Sequence, residues 1–140
     1  MSSKKKAVAV YIRQAIANQS DFSDTLMLNV EALKKVAKIF GNVAGVYIDN
    51  RREKEWLSWD NLMKDCRTEK IDMIVMRSLS NLGRNTADML KKVKELSTLG
   101  IQAYFLTEQF YSDSEYFEKI VSFYCSMIEE EYTNKKERLT

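Results

Sequence analysis

Residues 7–20, AVAVYIRQAIANQS, decide how the chain is read. AVAVYI (7–12) is an unbroken apolar run with β-branched members, the pattern of a strand buried on both faces of a parallel sheet. It ends at Arg13, followed by the polar turn Gln14, Ala15 and Gln19. VAGVYID (43–49) reads as a second strand, IDMIVMRS (71–78) as a third, buried one, and IQAYFLT (101–107) as a fourth, and QFYS is a short candidate fifth strand. Between them lie helical periodicities. DTLMLNVEALKKVAKIF (24–40) places Leu26, Val30, Leu33, Ala37 and Phe40 on one face and stops at Gly41. SWDNLMKDC (58–66) reads as a short helix. NTADMLKKVKELSTLG (85–100) has Asn85 or Thr86 as its cap, Met89, Leu90, Val93 and Leu96 as its inner stripe, and Gly100 as its close. The polar stretch NRREKEW (50–56) reads as mobile.

Alternating strands and helices predict one α/β domain over residues 1–140. Its sheet is mainly parallel, of four to five strands, with helices on both faces. A long last helix is expected over about 113–138, with Phe117, Ile120, Val121, Tyr124 and Ile128 along one side. It is longer than a domain of this size needs to cover its sheet, which suggests an oligomer contact, with a solvated tail as the alternative.

The 140 residues are 45% hydrophobic and 30% charged, and no apolar run reaches the ~18 residues of a membrane span. The basic start MSSKKKAVAV is interrupted by Arg13 too early for a signal peptide, so the expectation is a cytoplasmic protein with Cys66 and Cys125 as reduced thiols. Histidine is absent, which removes histidine-activated serine or cysteine chemistry and the commonest transition-metal ligand. No CxxC, GxxxxGK[ST] or GxGxxG occurs, so neither a metal nor a cofactor is expected. A net charge of +2 is too small to announce nucleic-acid binding, although Lys4–Lys6, Arg51 with Arg52, and Lys91, Lys92 and Lys94 form basic clusters.

Ligands of open parallel sheets sit beyond the carboxyl ends of the strands. There the sequence places Arg13, Gln14, Ala15 and Gln19; Asp49, Asn50, Arg51 and Arg52; Arg77, Ser78, Ser80, Asn81 and Arg84; and Thr107 and Glu108. Arginines gathered on one edge suit a phosphate, while surface arginines paired with Asp49 or Glu108 are the plainer reading. A response-regulator site is excluded, because the acidic positions it needs hold Arg13 and Arg77–Ser78.

Four segments resemble the catalytic domain of the serine recombinases (resolvases, invertases and large serine integrases). VYIRQAIANQ (10–19) is similar to the family's Tyr-x-Arg-x-Ser motif with its downstream Gln, and VYIDN (46–50) to its second strand. KIDMIVMRSLSNLGRNTADML (70–90) resembles the segment carrying Asp/Ser-Arg-Leu-x-Arg-Asn. LTEQFYSDSEYFEKIVSFYCSMIEEEYTNKKER (106–138) resembles the strand leading into the long helix. The resemblance implies metal-free attack of a serine on a DNA phosphodiester, arginines holding the phosphate, and assembly of dimers into a tetramer. It also implies site residues. Arg13, Gln19 and Arg84 match; Ser80 stands at the aspartate place; Asn81, Trp56 and Tyr132 stand where arginines are expected; and Ala15 stands at the nucleophile. Loss of a nucleophile costs on the order of 10⁶ in rate, and loss of a charge-stabilising donor a further ~10²–10³. Neither Ser20 nor Ser23 has the spacing to substitute. The expectation is therefore a degenerate, inactive recombinase-type domain. A Ser-to-Ala variant of an active recombinase and a purely regulatory or oligomerisation module are the alternatives. Family members carry a separate DNA-binding region after the long helix. Only Leu139 and Thr140 follow Arg138 here, so DNA binding is expected to be weak, with a homodimer or tetramer formed through the last helix.

Overall fold

A computed structural model of the chain describes residues 5–16, 22–68, 70–83, 85–123 and 126–127. Strand β1 (Lys6–Gln14) buries six consecutive residues, Val8 to Arg13. It lies inside a five-stranded sheet of order β2-β1-β3-β4-β5, formed with β2 (Gly41–Asn50), β3 (Met73–Met76), β4 (Gln102–Phe105) and β5 (Phe110–Tyr111). β1 pairs in parallel with both β2 and β3, β3 pairs in parallel with β4, and β5 closes the edge antiparallel to β4.

Parallel crossovers are right-handed. The step from β1 to β2 runs one way along the sheet and the steps to β3 and β4 run the other, so the connecting helices divide between the two faces. Helix α1 (Met27–Phe40) covers one face, where Leu26, Val30, Leu33 and Ala37 meet Val8, Val10, Ile12, Met73 and Val75. Helices α2 (Leu57–Arg67) and α3 (Thr86–Thr98) cover the other, packing Trp59, Leu62, Met63, Met89 and Leu96 around Ala9, Tyr11, Ile74, Met76 and Phe105. Each fully buried Val, Leu, Ile, Met or Phe among them contributes about 1.5–3 kcal/mol.

Local chemistry sets the boundaries. Asn85 caps α3 by accepting the Asp88 N–H at 2.9 Å. α1 passes into β2 with no loop, at Gly41, where a Cβ would lie 2.1 Å from the Lys6 carbonyl oxygen. Only glycine permits that approach. The entry to α1 is a π-helical turn, Phe22–Leu26, where the periodicity predicts regular helix from Asp24.

The last helix also differs from expectation at its start. Residues 112–116 form turns after β5, and helix begins at 117 rather than 113, continuing over 117–123 and at 126–127. The expected remainder to 138 lies outside the described residues. Phe117 and Val121 are buried in the chain's own core, with Phe117 stacked on Phe105 and Phe110, and Ile120 is partly buried against it. These three side chains therefore face the sheet. Tyr116, Phe123 and Met127 are the exposed apolar residues of this segment. Tyr124 and Ile128 lie outside the described residues.

Candidate phosphate site at the carboxyl edge

In a sheet of this order the crevice lies between β1 and β3, where chain direction along the sheet reverses. The two-residue period of β1 sends the side chains at its tip to opposite faces. Gln14 turns toward α1 and accepts a hydrogen bond from Asn29 Nδ2 at 3.2 Å. Gln14, Thr25, Leu28, Asn29, Ala32 and Arg77 line a small cleft of about 350 Å³ there, and Asn29 Oδ1 is buried without a partner.

Arg13 turns to the other face, and it is 8% exposed. Its Nη2 donates to the Glu53 carbonyl at 2.7 Å, its Nη1 to the Glu55 carbonyl at 3.4 Å, and Asp49 Oδ2 lies 3.9 Å from Nη1. The guanidinium carbon sits 3.8 Å from the centre of the Trp56 ring. The segment 51–56, expected to be mobile, folds over the strand tip and encloses this arginine. An arginine displayed at the rim is thus replaced by one engaged inside.

Asp49 organises the enclosure. It is 6% exposed and accepts from Tyr11 Oη at 2.7 Å, the Ser58 N–H at 2.8 Å and the Trp59 N–H at 3.0 Å. It thereby ties β1 to β2 and supplies a carboxylate to the amino end of α2. Burial, reinforced by Asp49, pushes the Tyr11 phenol well above its ordinary pKa, so the hydroxyl stays a donor.

The backbone around Ala15 is held on both sides. Gln14 O accepts the Arg51 N–H at 3.0 Å, and the Asn50 amide accepts the Ile16 N–H and donates to the Ile16 carbonyl, each at 3.1 Å. Ala15 itself is exposed. What the fold presents at this point is a fixed methyl group.

Beyond β3 a 3₁₀ turn, Leu79–Leu82, carries Ser80 and Asn81. Ser80 Oγ lies 2.6 Å from Ser78 Oγ, and Asn81 is 6% exposed. Glu108, after β4, fixes this turn by accepting the Leu79 N–H at 2.8 Å, and burial raises its carboxyl above the ordinary value. Arg77 is exposed. Gln19 and Arg84, the other expected site residues, lie outside the described residues.

The order of strands and helices matches one known pattern. The family model described as "Resolvase, N terminal domain" matches residues 8–140. The chain belongs to the resolvase family. Three solved structures show the same fold. The N-terminal catalytic domain of TP901-1 integrase is 22% identical, with 93% of this chain and 99% of that chain covered and a TM-score of 0.70. A resolvase family site-specific recombinase from Streptococcus pneumoniae is 17% identical, with 96% and 95% covered and a TM-score of 0.66. The C-terminal catalytic domain of ISC1926 TnpA, an IS607-like serine recombinase, is 17% identical, with 71% and 70% covered and a TM-score of 0.62.

Two residues around this candidate site have contacts that the sequence did not announce. The sequence offers Asp49 as a partner for the arginines of this edge, but not as the acceptor that joins Tyr11 to the amino end of α2. Lys92, on α3, places its Nζ 3.6 Å from the Trp56 ring centre, a contact across 36 positions that no local pattern announces. The larger cleft, about 800 Å³ and lined by residues including Val93, Ile101, Gln102, Ser112 and Phe117, opens at the start of β4. It is at the wrong end of the strands for this site. Among the described residues no helix is long and apolar enough to cross a membrane, and no cluster of His, Cys, Asp and Glu could hold a metal.

Proposed function

We propose that this chain is a recombinase-type domain that no longer cleaves DNA, retaining weak phosphate contact and self-association as a partner or regulator in site-specific recombination. The observation that carries the reading is Ala15, an exposed methyl on a backbone clamped by Asn50 and Arg51 at the place where the family holds its nucleophile. Engagement of Arg13 by the 53–56 segment supports it further, as do Asn81 and Trp56 at arginine places. Self-association would use the helix beginning at 117, whose exposed Phe123 and Met127 remain for a partner copy.

The test is covalent capture on nicked DNA duplexes of randomised sequence, resolved on denaturing gels. No adduct is expected from the chain as it stands or from Ala15→Ser, because restoring the hydroxyl does not free Arg13. An adduct from the unmodified chain overturns the proposal. The intact clamp around Ala15 favours a second reading, a Ser-to-Ala form of an otherwise competent enzyme. An adduct from Ala15→Ser alone would establish that reading instead.

A further inference from the structure

We propose that Lys92, held over the Trp56 ring, is a cation that this site offers to a phosphate group on the face where Arg13 is enclosed. The inference rests on the reading of the strand tips as a phosphate site, and it names a residue outside the motifs that define that site.

Arg13 is poorly accessible. It is 8% exposed, two of its five N–H groups are donated to backbone carbonyls, a buried carboxylate lies nearby, and a ring covers its face. Lys92 is in the opposite condition. It is half-buried, and its three donors make no hydrogen bond or ion pair among the described residues. Asp88 and Glu95, its acidic neighbours on α3, do not come within ion-pair distance, and Glu95 pairs with Arg67 at 3.8 Å. Its nearest partner is the face of an indole, shared with a second cation.

A cation–π contact holds an ammonium in place without neutralising it. Removal from water makes that charge costly, and burial draws the Lys92 amine below its ordinary pKa, an effect to which Arg13 and Lys91 add and which the more distant carboxylates of Asp88 and Glu95 offset only in part. An anion arriving over Trp56 would supply the missing countercharge and accept the free N–H groups. Trp56 stands at a family arginine place, so α3 delivers a positive charge to the neighbourhood from which one has been lost. A compact, hydrated ammonium binds phosphate as a point charge and needs no fork geometry. The ligand is therefore a phosphate oxygen, whether of a phosphodiester backbone or of a free phosphate.

Two titrations of the whole chain test this: calorimetry with inorganic phosphate, and fluorescence anisotropy with a labelled duplex across a salt series. Lys92→Gln is compared with Lys92→Arg and with Lys38→Gln, an equal charge change on the last turn of α1, and thermal melts confirm folding. Loss of a phosphate contact lowers the slope of log K against log salt by about 0.9. Lys92→Gln is expected to show that drop and to abolish the phosphate heat, while Lys92→Arg and Lys38→Gln keep both. If phosphate binds through Lys92 but no duplex binds, the inference stands and the DNA reading falls. If duplex binds with the same salt slope in Lys92→Gln, the inference falls and the DNA reading stands. Binding of neither ligand overturns both.

Discussion

Replacing Asp49 by alanine tests whether the carboxylate under the site is the joint between β1, β2 and α2. Three donors converge on it at 2.7–3.0 Å, and the Arg13 guanidinium lies 3.9 Å away. Hydrogen bonds to a charged group contribute about 1.5–3 kcal/mol each, so simple addition gives roughly 5–9 kcal/mol. Water entering the space left behind would recover part of that. Measurements on buried pairs that lose one partner give about 3–5 kcal/mol, and this is the range expected for Asp49→Ala. For a domain of this size that corresponds to a fall in Tm of roughly 10–20 °C. Asp49→Asn keeps an acceptor for the α2 amides but removes the charge beside Arg13, and should fall between the two proteins. Urea unfolding followed by circular dichroism reads the difference directly, with an unchanged m-value showing that the same surface is exposed. A loss below about 1 kcal/mol for Asp49→Ala would refute the reasoning, because the four contacts would then be no better than solvation.

Two further outcomes follow from the geometry. Asn85→Ala removes the side-chain cap of α3 and should cost about 1 kcal/mol in the same urea assay, with the loss recovered in Asn85→Asp. Burial pushes the Cys66 thiol up from 9.0 to about 11. The unfolded chain therefore releases that proton first, and stability present below pH 9 should decline as pH rises toward 11; Cys66→Ala should flatten this part of a pH series of melts.

The centre of the sheet was legible because β1 and β3 are apolar runs buried along most of their length, whereas β2, at the edge, is mostly half-buried or exposed and β4 alternates. Val8–Ile12, Met73–Met76 and the two-residue β5 fall where the pattern predicts. The cap of α3 was legible to within one residue, Asn85 or Thr86, because capping is chemistry local to four residues, and it is Asn85 that accepts the Asp88 N–H. Arg13 was legible in part. Its place at the strand tip and its nearness to Asp49, at 3.9 Å, follow from the sequence, but its burial also depends on the backbone carbonyls of Glu53 and Glu55, and carbonyls carry no sequence signal. The last helix starts late because residues 112–116 form turns that no proline or glycine marks. Trp56 reads in one dimension as a lost arginine; only in three dimensions does it meet a lysine from another helix.

The position of β1 bears on how the chain is made. Its first partner is complete only at residue 50 and its second only at residue 76. Until the latter leaves the ribosome, the most apolar segment of the protein keeps one row of amides and carbonyls open to any other extended chain. Nascent or truncated forms ending before residue 73 should therefore be the aggregation-prone species, and chaperone demand should end once the third strand docks.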